Sequence, residues 1–188
     1  MTRVSGLICA LVLLAAPSAA ATDSQPDATI QAFTQRVNGY LELRQRVVKS
    51  VPPLELSSDP QAIHLASHAL ARALRKARTD AAAGDLFTAD VADVLRRRIA
   101  DALRENGVTA GVLLQDLFDE SPPTPASRPK VNARFDWSRA AAMPGFIIAA
   151  LPPLPDELQY RFVDEDLVLL DCDAALILDV LPHALLTE

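Results

Sequence analysis

Three short apolar runs, each closed by an acidic or proline break, fill the last thirty residues of the chain and limit the folds open to it. Pro152, Pro153 and Pro155 fix φ and remove backbone donors, so the approach to the first run is extended. Residues 159–163 alternate, with Tyr160 and Phe162 on one face and Gln159 and Arg161 on the other, the period of a half-buried strand. Asp164, Glu165 and Asp166 break the chain before a second apolar run at 167–172, and Asp173, Ala174 and Ala175 break it again before a third at 176–181, which Pro182 stops. The pattern predicts an antiparallel three-stranded β-meander over 158–181, with the second run central because it is apolar on both faces. A helix over 176–181 is the alternative, since leucine dominates there. Three strands cannot stand alone and need a helical layer over them, so the expected class is α+β: three to four N-terminal helices with a small C-terminal meander.

The helical layer is legible as amphipathic periodicity across residues 22–120. Ile30, Phe33, Val37, Leu41 and Val48 mark one face of a first helix, after a polar tail at 22–27. Asp59-Pro60 is a cap followed by proline at the first helical position, opening a helix whose inner face is Ile63, Ala66, Leu70, Ala73 and Ala77. Thr88 is placed to cap a third helix, buried through Val91, Leu95, Ile99, Ala102 and Leu103, with Asp93, Arg97 and Asp101 pairing on its outer face and Asn106-Gly107 stopping it. Residues 108–118 predict a fourth. The prolines of 121–130 mark a linker to a C-terminal region at 131–188, in which 130–137 is ambiguous and 138–151 holds a short helix interrupted at Pro144-Gly145.

The start of the chain predicts export. Arg3, the apolar residues 7–16 and the small residues Ser18-Ala19-Ala20-Ala21 form the three parts of a secretory signal peptide over 1–21, cleaved after Ala21 or Ala20. Its apolar run falls short of the roughly 20 residues of a membrane span, and no later stretch reaches that length. The expected product is periplasmic or secreted, with no transmembrane segment. Removing the signal leaves Cys172 as the one cysteine, so no internal disulfide forms. A net charge of −6 argues against nucleic acid as a partner.

The closing stretch LPPLPDELQYRFVDEDLVLLDCDAALILDVLPHAL resembles the end of a group of uncharacterised exported bacterial proteins, in which LPxLPxxLxYRFV is followed by a DLVLxD strand and an apolar return strand. RVNGYLELR at 36–44 and GDLFTADV at 84–91 are similar as well. The resemblance implies export and a shared architecture. It assigns no catalytic residue and implies that a residue other than cysteine usually stands at position 172.

Candidate sites are few. His64 and His68 lie four apart on one face of the second helix and are the candidate metal ligands. Leu65 stands where a zincin has glutamate, Arg72 and Arg75 continue the face, and no third ligand is near in sequence, so a polar face is the blander reading. Cys172 reads as a small buried core side chain. Asp164, Glu165, Asp166, Asp171 and Asp173 do not follow a calcium-loop spacing and read as turn and strand-end carboxylates. Asp171 and Asp179, inside apolar runs, each require a partner. Arg96, Arg97 and Arg98 read as a solvated face, with Arg98 snorkelling. With no phosphate loop, nucleophile elbow or paired cysteines, no cofactor and no catalytic residue are expected. The leading expectation is a non-enzymatic binding or interaction protein of the bacterial envelope with an envelope protein as partner. The alternative is a periplasmic protein binding a transition metal or a small anion through His64 and His68.

Overall fold

A computed structural model describes residues 24–52, 58–120, 128–137 and 141–185. The predicted signal peptide and most of the proline-rich linker lie outside them. The order is α1 (Ser24–Val48), α2 (Pro60–Ala77), α3 (Ala89–Glu105), α4 (Ala110–Glu120), α5 (Gly145–Ala150), β1 (Leu158–Val163), β2 (Asp166–Asp171) and β3 (Leu176–Leu181). The strands form one antiparallel sheet of order β1-β2-β3, so the class is α+β with a C-terminal meander and 176–181 is a strand, not a helix.

One apolar cluster joins the two layers. It takes Phe33 and Val37 from α1, Leu74 from α2, Leu95 and Ile99 from α3, Leu117 from α4 and Ile147 from α5. From the strands it takes Tyr160, Phe162, Leu169 and Leu178. Rings run through it in sequence from Phe33 to Phe87 (6.0 Å between centroids) and on to Tyr160 (6.4 Å).

The opposite face of the sheet is also dry. Val168, Leu170, Ile177 and Val180 pack there with Phe135, Val131 and Ala133. The ambiguous segment 130–137 is therefore a strand-like ribbon bridged to β3 between Arg134 and Leu176. It pairs with β3 through Asn132 N to Ile177 O (2.8 Å), Ile177 N to Ala133 O (3.0 Å) and Phe135 N to Ala175 O (2.7 Å). That cover explains why every residue of β2 and β3 is buried.

Several local expectations need correction. α1 starts at Ser24, inside the expected tail, and its buried stripe is Phe33, Val37, Tyr40, Arg44 and Val47, while Val48 is exposed. The stripe was obscured because Tyr40 and Arg44 carry polar tips on long apolar stems. α2 buries Leu70, Ala71 and Leu74 in the core with Ala73 packed against it, leaving Ile63 exposed. Asp59 caps α2 as expected, accepting from Gln61 N at 2.9 Å, but Thr88 makes no side-chain cap bond to α3. The ion pairs of α3 are Arg96–Asp93 and Arg104–Asp101 rather than pairs through Arg97.

Two buried carboxylates fasten the helices to the sheet. Asp171 Oδ2 accepts from Tyr40 Oη (2.6 Å) and Arg44 Nε (2.7 Å), and its Oδ1 accepts from Ala174 N (2.9 Å). Arg44 reaches on to Asp173. Burial works against the Arg44 guanidinium, yet Asp171 and Asp173 hold its pKa above the usual value. Burial and the neighbouring Asp171 push the Tyr40 phenol well above its ordinary range.

Asp179 depends on an irregularity. Between Leu169 and Leu170 of β2 the register on β3 slips, so that Leu169 faces Asp179 while Leu170 faces Ile177. The extra residue, Leu178, turns Asp179 toward the helices, where strict alternation would have aimed it at the other face. There its Oδ2 accepts from Leu86 N and Phe87 N (both 2.7 Å), and its Oδ1 accepts from Gly84 N (2.9 Å) and Val180 N (2.8 Å). Successive amides curled round an anion form a nest, and Gly84 at φ +93° supplies the backbone turn that most residues resist. The slip also frees the Leu178 carbonyl, which Arg78 takes at 3.0 Å while lying over the Tyr40 ring, 5.3 Å from its centroid.

Candidate functional site

The first two turns of α2 carry few core contacts and stand out from the body with Ile63, His64 and Leu65 exposed. Opposite them run the end of the 132–137 ribbon and the Cys172–Ala175 turn. Between these elements lie two adjoining hollows that share His64, Arg134 and Trp137 as walls. One, about 440 Å³, reaches Cys172 and Asp173; the other, about 540 Å³, reaches His68 and Asp136.

Aromatic and cationic groups line this groove. Trp137, 41% exposed, stands edge-on to the buried Phe135 with 5.0 Å between centroids, which holds the indole while leaving a face to solvent. The His64 and His68 rings lie 4.2 Å apart. Desolvation, then Arg134, His64, Arg72 and Arg75 lower the His68 pKa below its ordinary value. Its Nε2 is buried with no hydrogen-bond partner among the described residues. An unsatisfied ring nitrogen beside guanidinium groups is suited to an anion or a neutral acceptor.

The structure thus draws together His64 and Cys172, which the sequence left unrelated. Cys172 is not in the strand core: β2 ends at Asp171, and Cys172 is the first, half-buried residue of the turn. Its Sγ accepts from Gln159 Nε2 at 2.9 Å, and desolvation pushes the thiol pKa up, with Asp171 and Asp173 adding to the rise. A thiol held protonated is a poor nucleophile. His183 lies at the other end of β3, roughly 20 Å away at strand rise, and is no base for it.

No third ligating atom joins the histidine pair among the described residues. Among the described residues, the one group of three His, Cys, Asp or Glu side chains with ligand atoms within 4.8 Å of one another is Glu165, Asp166 and His183. Those contacts already have a purpose: His183 Nδ1 pairs with Glu165, and His183 N donates to Asp166 Oδ1 (2.9 Å), tying the β1–β2 turn to the end of β3. Sequence reasoning missed Arg134 and Trp137, since an ambiguous ribbon gives no periodicity from which to place a side chain. Compared with known proteins, the chain matches no family model, no curated protein and no solved structure.

Proposed function

We propose that this chain is an exported, non-enzymatic binding protein of the bacterial envelope, and that its ligand is a small organic anion with a planar or apolar body. The observation that carries the reading is the groove itself: His64, His68 and Arg134 gather positive or protonatable groups around an exposed indole. An anion there would meet Arg134 as a charge-assisted donor, and its ring or chain would lie on Trp137. Within the expected alternative, the arginines favour an anion over a transition-metal cation, because Arg72, Arg75 and Arg134 repel a metal ion.

Trp137 is the single tryptophan of the chain, so its emission reports on the groove directly. Titration with phenyl phosphate is expected to quench it saturably. Arg134→Gln, or His64→Ala with His68→Ala, is expected to weaken binding about tenfold, the loss of one charge-assisted bond. The pH dependence separates the two ligand classes. His68 faces His64, Arg72 and Arg75 on its own helix, and Arg134 and Asp136 on the ribbon. An anion should bind more tightly as pH falls through the range in which His68 protonates, which desolvation and the neighbouring arginines place below that of a free imidazole, because protonation adds attraction. A metal should bind less tightly, because protonated imidazole cannot ligate. Zinc or nickel quenching that disappears at low pH, with no response to phenyl phosphate, would replace the anion by a metal.

Export rests on Arg3, residues 7–16 and Ser18-Ala19-Ala20-Ala21, and no helix among the described residues is long and apolar enough to cross a membrane. Mass spectrometry of the exported protein is expected to find Thr22 or Ala21 as the first residue. Intact Met1 in a membrane fraction would overturn the export reading.

A further inference from the structure

The end of the sheet far from the Trp137 groove gathers three side chains able to ligate a metal. Glu165 closes the β1–β2 turn, Asp166 opens β2 and His183 follows β3. Because β2 and β3 are antiparallel, with Leu167 opposite Leu181, the start of one strand lies beside the end of the other. One carboxylate oxygen from each acid and one ring nitrogen of His183 lie within 4.8 Å of one another. Backbone bonds fix this spacing: Leu185 N donates to Glu165 O (3.2 Å), and His183 N donates to Asp166 Oδ1 (2.9 Å).

These ties do not exhaust the ligating atoms. His183 Nδ1 and Glu165 Oε1 are 2.5 Å apart, close enough to hold one hydrogen between them, and both side chains are nearly half exposed. A metal ion can take that hydrogen's place with a small opening of the pair, since ligand atoms about 2.0–2.2 Å from zinc stand roughly 3.3 Å apart in a tetrahedron. Asp166 is an independent sign. The residue is only 6% exposed and gives Oδ1 to the His183 amide, while Oδ2 has no hydrogen-bond partner among the described residues and is not sealed from solvent. Asp171 and Asp179, buried in the same sheet, satisfy both of their oxygens, as buried carboxylates generally do. Two carboxylates against one imidazole also leave the corner negative even when the ring is protonated, and Asp164, exposed in the same turn, adds to that charge. Arg96 of α3 reaches this corner, but its guanidinium is engaged by Pro182 O (2.9 Å) and Asp93 (3.5 Å).

We infer that this corner binds a zinc ion through Glu165 Oε1, Asp166 Oδ2 and His183 Nδ1, with water at the fourth position. An imidazole beside two carboxylates is a mixed nitrogen and oxygen donor set, which suits zinc better than calcium, an ion that takes six to eight oxygens. The bound ion clamps the β1–β2 turn to the chain that leaves β3.

The test is calorimetric titration of the full mature chain, free of any tag, with zinc chloride at neutral pH. One site of micromolar affinity is expected, with no saturable heat from calcium chloride at the same concentrations. Zinc at a hundredfold excess over Kd should raise Tm by about 5–10 °C. His183→Asn removes the ring and suits the left-handed backbone of that position (φ +50°), and Asp166→Asn keeps a carbonyl for the His183 amide. Each should weaken zinc at least tenfold while the zinc-free protein still unfolds cooperatively. The control, His64→Ala with His68→Ala, should bind zinc as the parent does. No saturable zinc heat, an affinity unchanged in both His183→Asn and Asp166→Asn, or loss of the site in the control would each overturn the assignment. Trp137 stands by the Cys172–Ala175 turn at the other end of β3, so the phenyl phosphate experiment is decided separately.

Discussion

Asp179→Ala is expected to destabilise the protein by about 3–5 kcal/mol, the range for removing one partner of a buried charged network. The substitution takes one acceptor from each of Gly84, Leu86 and Phe87, and the last two amides are bonded in a buried setting. Unsatisfied buried donors cost about 1–3 kcal/mol each, so the total is set by how far the loop relaxes or admits water. Typical domains have about 5–15 kcal/mol to lose. Asp179→Asn keeps one carbonyl oxygen but turns an amide NH2 toward N–H groups, and should fall between alanine and wild type. Equilibrium urea unfolding measures all three. A loss under about 1 kcal/mol for the alanine variant would mean that the carboxylate does not hold the loop between α2 and α3.

Truncation after Asp156 should abolish cooperative unfolding altogether. It removes Tyr160, Phe162, Leu169 and Leu178 from the cluster that buries Leu74, Leu95 and Ile99, together with both carboxylates that receive the helices. Amphipathic helices draw most of their stability from such packing. Calorimetry should show a broad, low transition or none. A sharp transition at the full-length melting temperature would make the helices a domain of their own.

The meander was legible from its alternation and breaks, and the second and third helices from strong periodicity and a real Asp-Pro cap. The demand that Asp171 and Asp179 find partners was legible too, since charge in an apolar strand costs too much to stand alone. The partners were not. Tyr40 and Arg44 look like surface residues until something buried needs their tips, and the Leu178 slip that aims Asp179 has no signature in a run of leucine, isoleucine and valine. The groove was half visible. His64 and His68 announce themselves by spacing, whereas Arg134, Trp137 and Cys172 meet them only through the pairing of 132–135 with β3, a long-range event that local pattern does not encode.

That pairing has one more effect. An outer strand with free amides and carbonyls is a template on which another chain can lengthen the sheet. Here the ribbon occupies the outward groups of Ala175 and Ile177. Beyond it, the slip at Leu178 bends the remaining rim and spends a carbonyl on Arg78. One half of the margin is sealed and the other misshapen, so a strongly apolar β3 is poorly placed to seed intermolecular β-stacking while the native state persists.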